Sequence, residues 1–203
     1  MELVELLDKG ATRISDVDAW LRDRPWDARL SALRGLGRRE QRRMYGLAAL
    51  SDALTLGDLV PESVAAKTAV RHMGKNTLPL PPAFRTFEKP MCRPEGDDRR
   101  LYGFNEGASR GIIGPGYFVA YEVESNPVWS ARGDVVVDYF QVPDGAVAPE
   151  WPKVVPNSEG LQKFVFKGTR DFLRKVSDGV SIGAAFKGER PLDHYFVLLR
   201  RED

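Results

Sequence analysis

The hydrophobic pattern of this chain changes period near its middle. In the first seventy or so residues apolar side chains recur three and four apart: Leu3, Val4, Leu6 and Leu7, then Val17, Trp20 and Leu21, then Trp26, Leu30 and Leu33, then Met44, Leu47, Leu50 and Leu54. Such spacing lines up side chains along one face of a helix. It predicts a short first helix stopped by Gly10 and a second opened by a Ser15/Asp18 capping box. A third should begin at Pro25 and end at Gly35 and Gly37, and a longer one should start at about Arg38. A last helix is expected from Pro61 to Gly74, with Arg71 and His72 set against the negative end of its dipole.

Past Leu78-Pro79-Leu80-Pro81-Pro82 the period becomes two. Proline fixes φ, removes a donor and pushes the preceding residue out of helical space, so this stretch reads as a stiff connector. Alternating segments then predict strands at 84–87, 100–104, 117–123, 135–142, 163–167, 180–186 and 192–200. The segment 135–142 is the most continuously apolar and reads as a central strand. Thr169 is placed to cap a helix over 169–176 bearing Phe172, Leu173 and Val176. The intervals show little of the strand-helix-strand rhythm that a parallel sheet needs. The expected class is α+β: a helical lead of four to five short helices (1–78), a proline-rich connector (79–83), and a curved antiparallel sheet or partial barrel with one packed helix (84–203).

Composition sharpens this division. Of twenty aromatic residues only Trp20, Trp26 and Tyr45 precede Phe84. Charged residues make up 29% and the net charge is +1, which is ordinary globular composition and supplies no global field for nucleic acid or an anionic membrane. Cys92 is the single cysteine, so no internal disulfide is possible. No apolar run approaches the ~20 residues of a membrane span, and the start lacks a signal-peptide pattern. A cytoplasmic location is the expectation, and the excess of Arg over Lys suggests a GC-rich, bacterial coding sequence.

Candidate chemistry is sparse. Gly107-Ala108-Ser109-Arg110-Gly111 matches the G-x-S-x-G elbow of hydrolases, with His194 downstream, but Ile112-Ile113-Gly114-Pro115-Gly116 cannot start the helix that motif requires. The same glycines read more simply as a mobile loop over 105–116, where Arg110 and nearby amides could hold an anion. The polar junction His72 to Thr77 reads as a helix end, and Pro79-Leu80-Pro81-Pro82 as a linker instead of an SH3 ligand. Two histidines and one cysteine without H-x-x-x-H or C-x-x-C spacing predict no metal site, and nothing predicts a cofactor. Eight arginines between Arg22 and Arg43 outnumber three acids there, yet a solvated helix face explains them better than nucleic-acid binding. Asp138 and His194 lie inside apolar strands, where an unpaired polar group costs about 1–3 kcal/mol, so each must find a partner or face a cavity.

Three functions follow. The first is a module holding a small organic or lipid-like ligand through Asn105, Arg110, Tyr117, Asp138, Tyr139, His194 and Tyr195. The second is a protein-interaction or homodimer module using the helical lead or an aromatic sheet face. The third is an enzyme with His194 as acid or base, aided by Asp138 or Tyr117.

Overall fold

In a computed structural model that describes residues 1–108, 110–124 and 126–202, helices α1 (Leu3–Asp8), α2 (Ile14–Arg22), α3 (Trp26–Gly35), α4 (Arg38–Leu47) and α5 (Leu56–Leu59) lead the chain. Of the apolar faces read from the sequence, Leu3, Leu6, Leu7, Val17, Leu21, Leu33 and Met44 form one buried cluster; α4 ends at Leu47, short of Leu50, which is exposed, and of Leu54, which packs in a second cluster. The cap of α2 differs from the Ser15/Asp18 box. Arg13 is its cap residue, and its N–H donates to the Asp16 carboxylate at 2.8 Å.

After α5 the chain enters a nine-stranded, wholly antiparallel sheet. Its strands are β1 (His72–Asn76), β2 (Thr86–Glu88), β3 (Met91–Cys92), β4 (Arg100–Gly103), β5 (Phe118–Glu122), β6 (Val135–Asp138), β7 (Thr169–Ser177), β8 (Val180–Lys187) and β9 (Arg190–Arg200). Their order is β2-β1-β9-β8-β7-β6-β5-β4-β3. Two short helices, α6 (Arg110–Ile113) and α7 (Pro127–Ser130), interrupt the β region.

Several expected elements are corrected. The helix placed over 61–74 is absent, and its last residues are β1, which pairs on both sides, with β2 and with β9. Two full ladders outweigh a helical preference already weakened by β-branched Val64, Thr68 and Val70. The helix placed over 169–176 is β7. Leu173 packs with one core cluster and Val176 with the other, so apolar residues on both faces of a central strand imitate a helical stripe. The strand expected at 163–167 is absent: a 3-10 turn, Leu161–Phe164, follows Gly160 at φ +57°, and the chain stays in turns up to Gly168. Within the loop 105–116, expected to lack a helix, α6 spans Arg110–Ile113 and so takes in Ile112 and Ile113, while Ser109 lies outside the described residues.

The sheet curls into a half-barrel. Its two edges, β2 and β3, are separated in sequence by just Lys89 and Pro90, so they stand within roughly three Cα steps, about 11 Å, of one another. A bridge between Val70 and Met91 partly closes that seam. The helical lead covers the outer face, where its cluster merges with Val176, Val180, Ile182, Val197 and Leu199. Side chains one residue out of phase, including Phe118, Val137, Leu173, Phe196 and Leu198, face inward and join Leu54, Leu56, Leu59 and Val60, which fill one end of the trough. The other end is open.

Candidate functional site

The open end of the half-barrel is a cleft of about 470 Å³. Its walls carry Leu78, Leu80, Phe84, Phe87, Phe164, Phe166 and Phe196; of its polar side chains Lys89, Tyr139 and Asp171 are buried, with Asn105 beside them, while Asn76, Thr86, Glu106, Lys187 and His194 lie nearer solvent. Lys89 sits at the seam between the two edges of the sheet and is 1% exposed. Alternation places it on the inward side with Phe87 and Met91. Its backbone N–H donates to the His72 carbonyl at 2.9 Å, which pins the seam to β1.

The Lys89 ammonium donates to Tyr139 Oη at 2.7 Å and to Asn105 Oδ1 at 3.0 Å, and stands 3.8 Å from Asp171 Oδ2. Tyr139 Oη donates to Asp171 at 3.3 Å, and Asn105 Nδ2 donates to the Gly116 carbonyl at 2.9 Å. Four rings surround the ammonium, with centroids at 4.6 Å (Phe118), 5.0 Å (Phe196), 5.2 Å (Tyr139) and 5.9 Å (Phe87). Phe118 is on β5 and Phe196 on β9, four strands apart; in a flat sheet they would be ~19 Å from each other. The curl alone brings both to one nitrogen.

Three of these rings have a specific means of lying flat. Phe87, Phe118 and Phe196 stand directly opposite Gly74, Gly103 and Gly183 on neighbouring strands. A Cβ at Gly183 would be 2.3 Å from the Phe196 ring, at Gly103 2.2 Å from Phe118, and at Gly74 2.7 Å from Phe87. Each missing side chain is therefore the floor on which a ring rests.

Burial dominates the electrostatics. It pushes the Lys89 ammonium down to about 8, against the pull of Asp171. It pushes Asp171 up to about 6, opposed by Lys89 and by the Tyr139 hydroxyl. Tyr139 is raised well above the usual phenol range by burial and by Asp171. The cage of rings offsets part of the cost of a cation here, since each ring face attracts it.

Of the residues singled out in the sequence, Asn105, Tyr139, His194 and Tyr195 line this cleft. His194 Nδ1 is buried without a hydrogen-bond partner among the described residues, and burial lowers the ring's pKa. The Tyr195 ring packs on Tyr45 of α4, 5.7 Å away. The other three lie elsewhere. Arg110 pairs with Glu106 at 2.8 Å beside a separate, smaller hollow. Tyr117 donates to the Pro152 carbonyl within a packed aromatic group with Phe104 and Trp151. Asp138 points to the outer face, where it takes Tyr121 Oη at 2.9 Å and pairs with Arg170 at 3.2 Å, so it cannot assist His194. Cys92 packs with Tyr102 and Val119, away from the cleft, and burial raises its thiol to about 11.

Lys89 and Asp171 escaped the sequence reading. The signal for Lys89 was its period-two placement between Phe87 and Met91, obscured by the adjoining Pro90. For Asp171 it was a lone acid in a run that resembles a helix. The basic stripe of the lead is occupied by structural contacts: Arg29 with Glu202, Arg39 with Asp8, and Arg38 and Arg42 with Asp193. Among the described residues no group of three or more His, Cys, Asp or Glu is arranged to hold a metal, and no helix is long and apolar enough to cross a membrane. The chain matches no protein-family model, no curated protein and no solved structure.

Proposed function

We propose that this protein binds a small, largely apolar organic molecule in the open end of its half-barrel, with a neutral polar end directed at Lys89. The observation that carries the reading is an aromatic-walled cleft of about 470 Å³ that holds the buried polar groups of Lys89, Tyr139 and Asp171 among its lining. That size and layout match small-molecule sites, in which apolar walls provide affinity and a few polar groups set orientation. The choice of a neutral head rests on charge. Asp171 already balances Lys89, so an anionic head would meet a carboxylate as well as an ammonium. A carbonyl or hydroxyl can accept an N–H from Lys89 without disturbing that balance.

The mouth supports the same reading. Phe164 is 71% exposed, and Val165 and Phe84, which line the cleft with it, are also exposed. Such side chains can shield the apolar body of a bound molecule. Titration with Nile red, a neutral apolar fluorophore, tests the proposal: fluorescence should saturate at one dye per chain, and octanol should displace it. Linear, unsaturable partitioning would contradict it.

A further inference from the structure

We infer that Lys89 is a carbonyl-reactive amine that captures an aldehyde or ketone ligand in the cleft as an imine, an inference that rests on the ligand-binding reading above. Three observations lead to it. First, Lys89 is a primary amine at the floor of an apolar cleft instead of at the surface, where lysines are normally found. Second, the polar groups around it suit proton movement: Asp171 Oδ2 lies 3.8 Å from Nζ, and Tyr139 Oη bonds to both. Third, two of the three ammonium protons have acceptors within 3.0 Å, Tyr139 and Asn105, while Asp171 lies beyond hydrogen-bonding range. One N–H is thus available to polarise a carbonyl oxygen before attack. The lysine stem has four flexible carbons, which allows Nζ to rise towards a bound carbonyl.

The chemistry balances without any further reagent. Through the Tyr139 hydroxyl, which accepts from Nζ and donates to Asp171, the ammonium passes one proton on to the Asp171 carboxylate. The freed nitrogen lone pair attacks the carbonyl carbon, forming the C–N bond while the C=O π pair moves to oxygen. Asp171 returns its proton to that oxygen, giving a protonated carbinolamine. A second proton passes from nitrogen to the hydroxyl by way of Asp171, the C–O bond breaks and water leaves. The product is an iminium carrying the charge that the ammonium carried, with Asp171 again its counter-ion. Burial favours the step, because it lowers the Lys89 pKa to about 8 and so enlarges the neutral, nucleophilic fraction at neutral pH.

The test treats the full chain with octanal, reduces with sodium cyanoborohydride, and locates the adduct by peptide mass spectrometry, with Nile red binding measured in parallel. The expected result is an octyl adduct at Lys89 formed about tenfold or more faster than at any of the other eight lysines. Nile red should suppress that adduct, and octanal should displace the dye. Lys89→Arg, which keeps the cation but not the nucleophile, should lose the fast adduct. Saturable Nile red binding with Lys89 labelled no faster than surface lysines would overturn the imine and leave the cleft reading intact. Absence of both dye binding and selective labelling would overturn the two together.

Discussion

At the scale of single residues, Lys89 and Asp171 are the least economical pair in the molecule. Two charges removed from water repay their desolvation only with excellent geometry, and this pair is separated by 3.8 Å. Replacing both by apolar residues, Lys89→Met with Asp171→Leu, should therefore leave stability unchanged or raise it by about 1–4 kcal/mol in urea unfolding. Asp171→Leu alone, which strands a buried ammonium, should be the less stable protein. A double variant clearly weaker than wild type would mean that the pair is retained for folding and not for a ligand. His72 offers a second check. Both ring nitrogens face carbonyls, of Lys89 at 3.0 Å and Leu59 at 3.1 Å, but burial prevails and lowers the pKa from 6.5 to about 4. The unfolded chain then takes up the proton first, so stability present above pH 6.5 is lost as pH falls towards 4, by about 3 kcal/mol. Asp171, raised from 3.8 to about 6, works in the opposite sense over its own range, because the folded form binds its proton first. Comparison with His72→Gln isolates the histidine: the wild-type advantage should shrink as pH falls through this window, and an advantage constant with pH would contradict the assignment. Tyr139, Asn105 and His194 stand out in the sequence because they are polar residues amid glycine-rich or apolar stretches. Lys89 does not, because a lysine before proline looks like any solvated turn until the curl of the sheet places it.

Among the elements, the cross-strand glycine–phenylalanine pairs build the cleft. Gly183→Ala should force the Phe196 ring off the sheet and cost about 1–3 kcal/mol through overpacking. Gly10→Ala, where an added Cβ meets nothing within 4 Å, is the matched control and should be close to neutral. Combining Gly183→Ala with Phe196→Leu should recover part of the loss in a double-mutant cycle, and purely additive losses would show that the ring is not the cause. The helices of the lead are legible because α1 to α4 each turn one apolar face to a shared core. The misread elements, β1 and β7, are central strands clothed on both sides, where period two disappears. The turn at Leu161–Phe164 is hidden for a different reason. It is held by the buried Gln162 amide, which accepts from Gly116 N–H at 3.2 Å and donates to the Pro156 carbonyl at 2.7 Å, contacts that no local pattern encodes.

For the whole molecule, the α+β class and a curved antiparallel sheet follow from the change of period, but the degree of curvature does not. That curvature is set by a two-residue step between opposite edges of the sheet, by rings resting on glycines, and by a helical lead that clamps the outer face through contacts such as Trp26 Nε1 to the Arg200 carbonyl at 2.9 Å. The result is a trough filled by Leu54 to Val60 at one end and left open at the other. The central claim is that this open end receives a ligand. It is tested most directly by filling the cleft from within: Ala185 lines it on β8, opposite Asp171, and Ala185→Phe would place a ring in the space a ligand would use. The variant should melt within a few degrees of wild type, because the side chain enters existing space and not packed core. Saturable Nile red binding should be abolished. Binding that survives Ala185→Phe unchanged would show that the dye, and by extension any ligand, sits elsewhere.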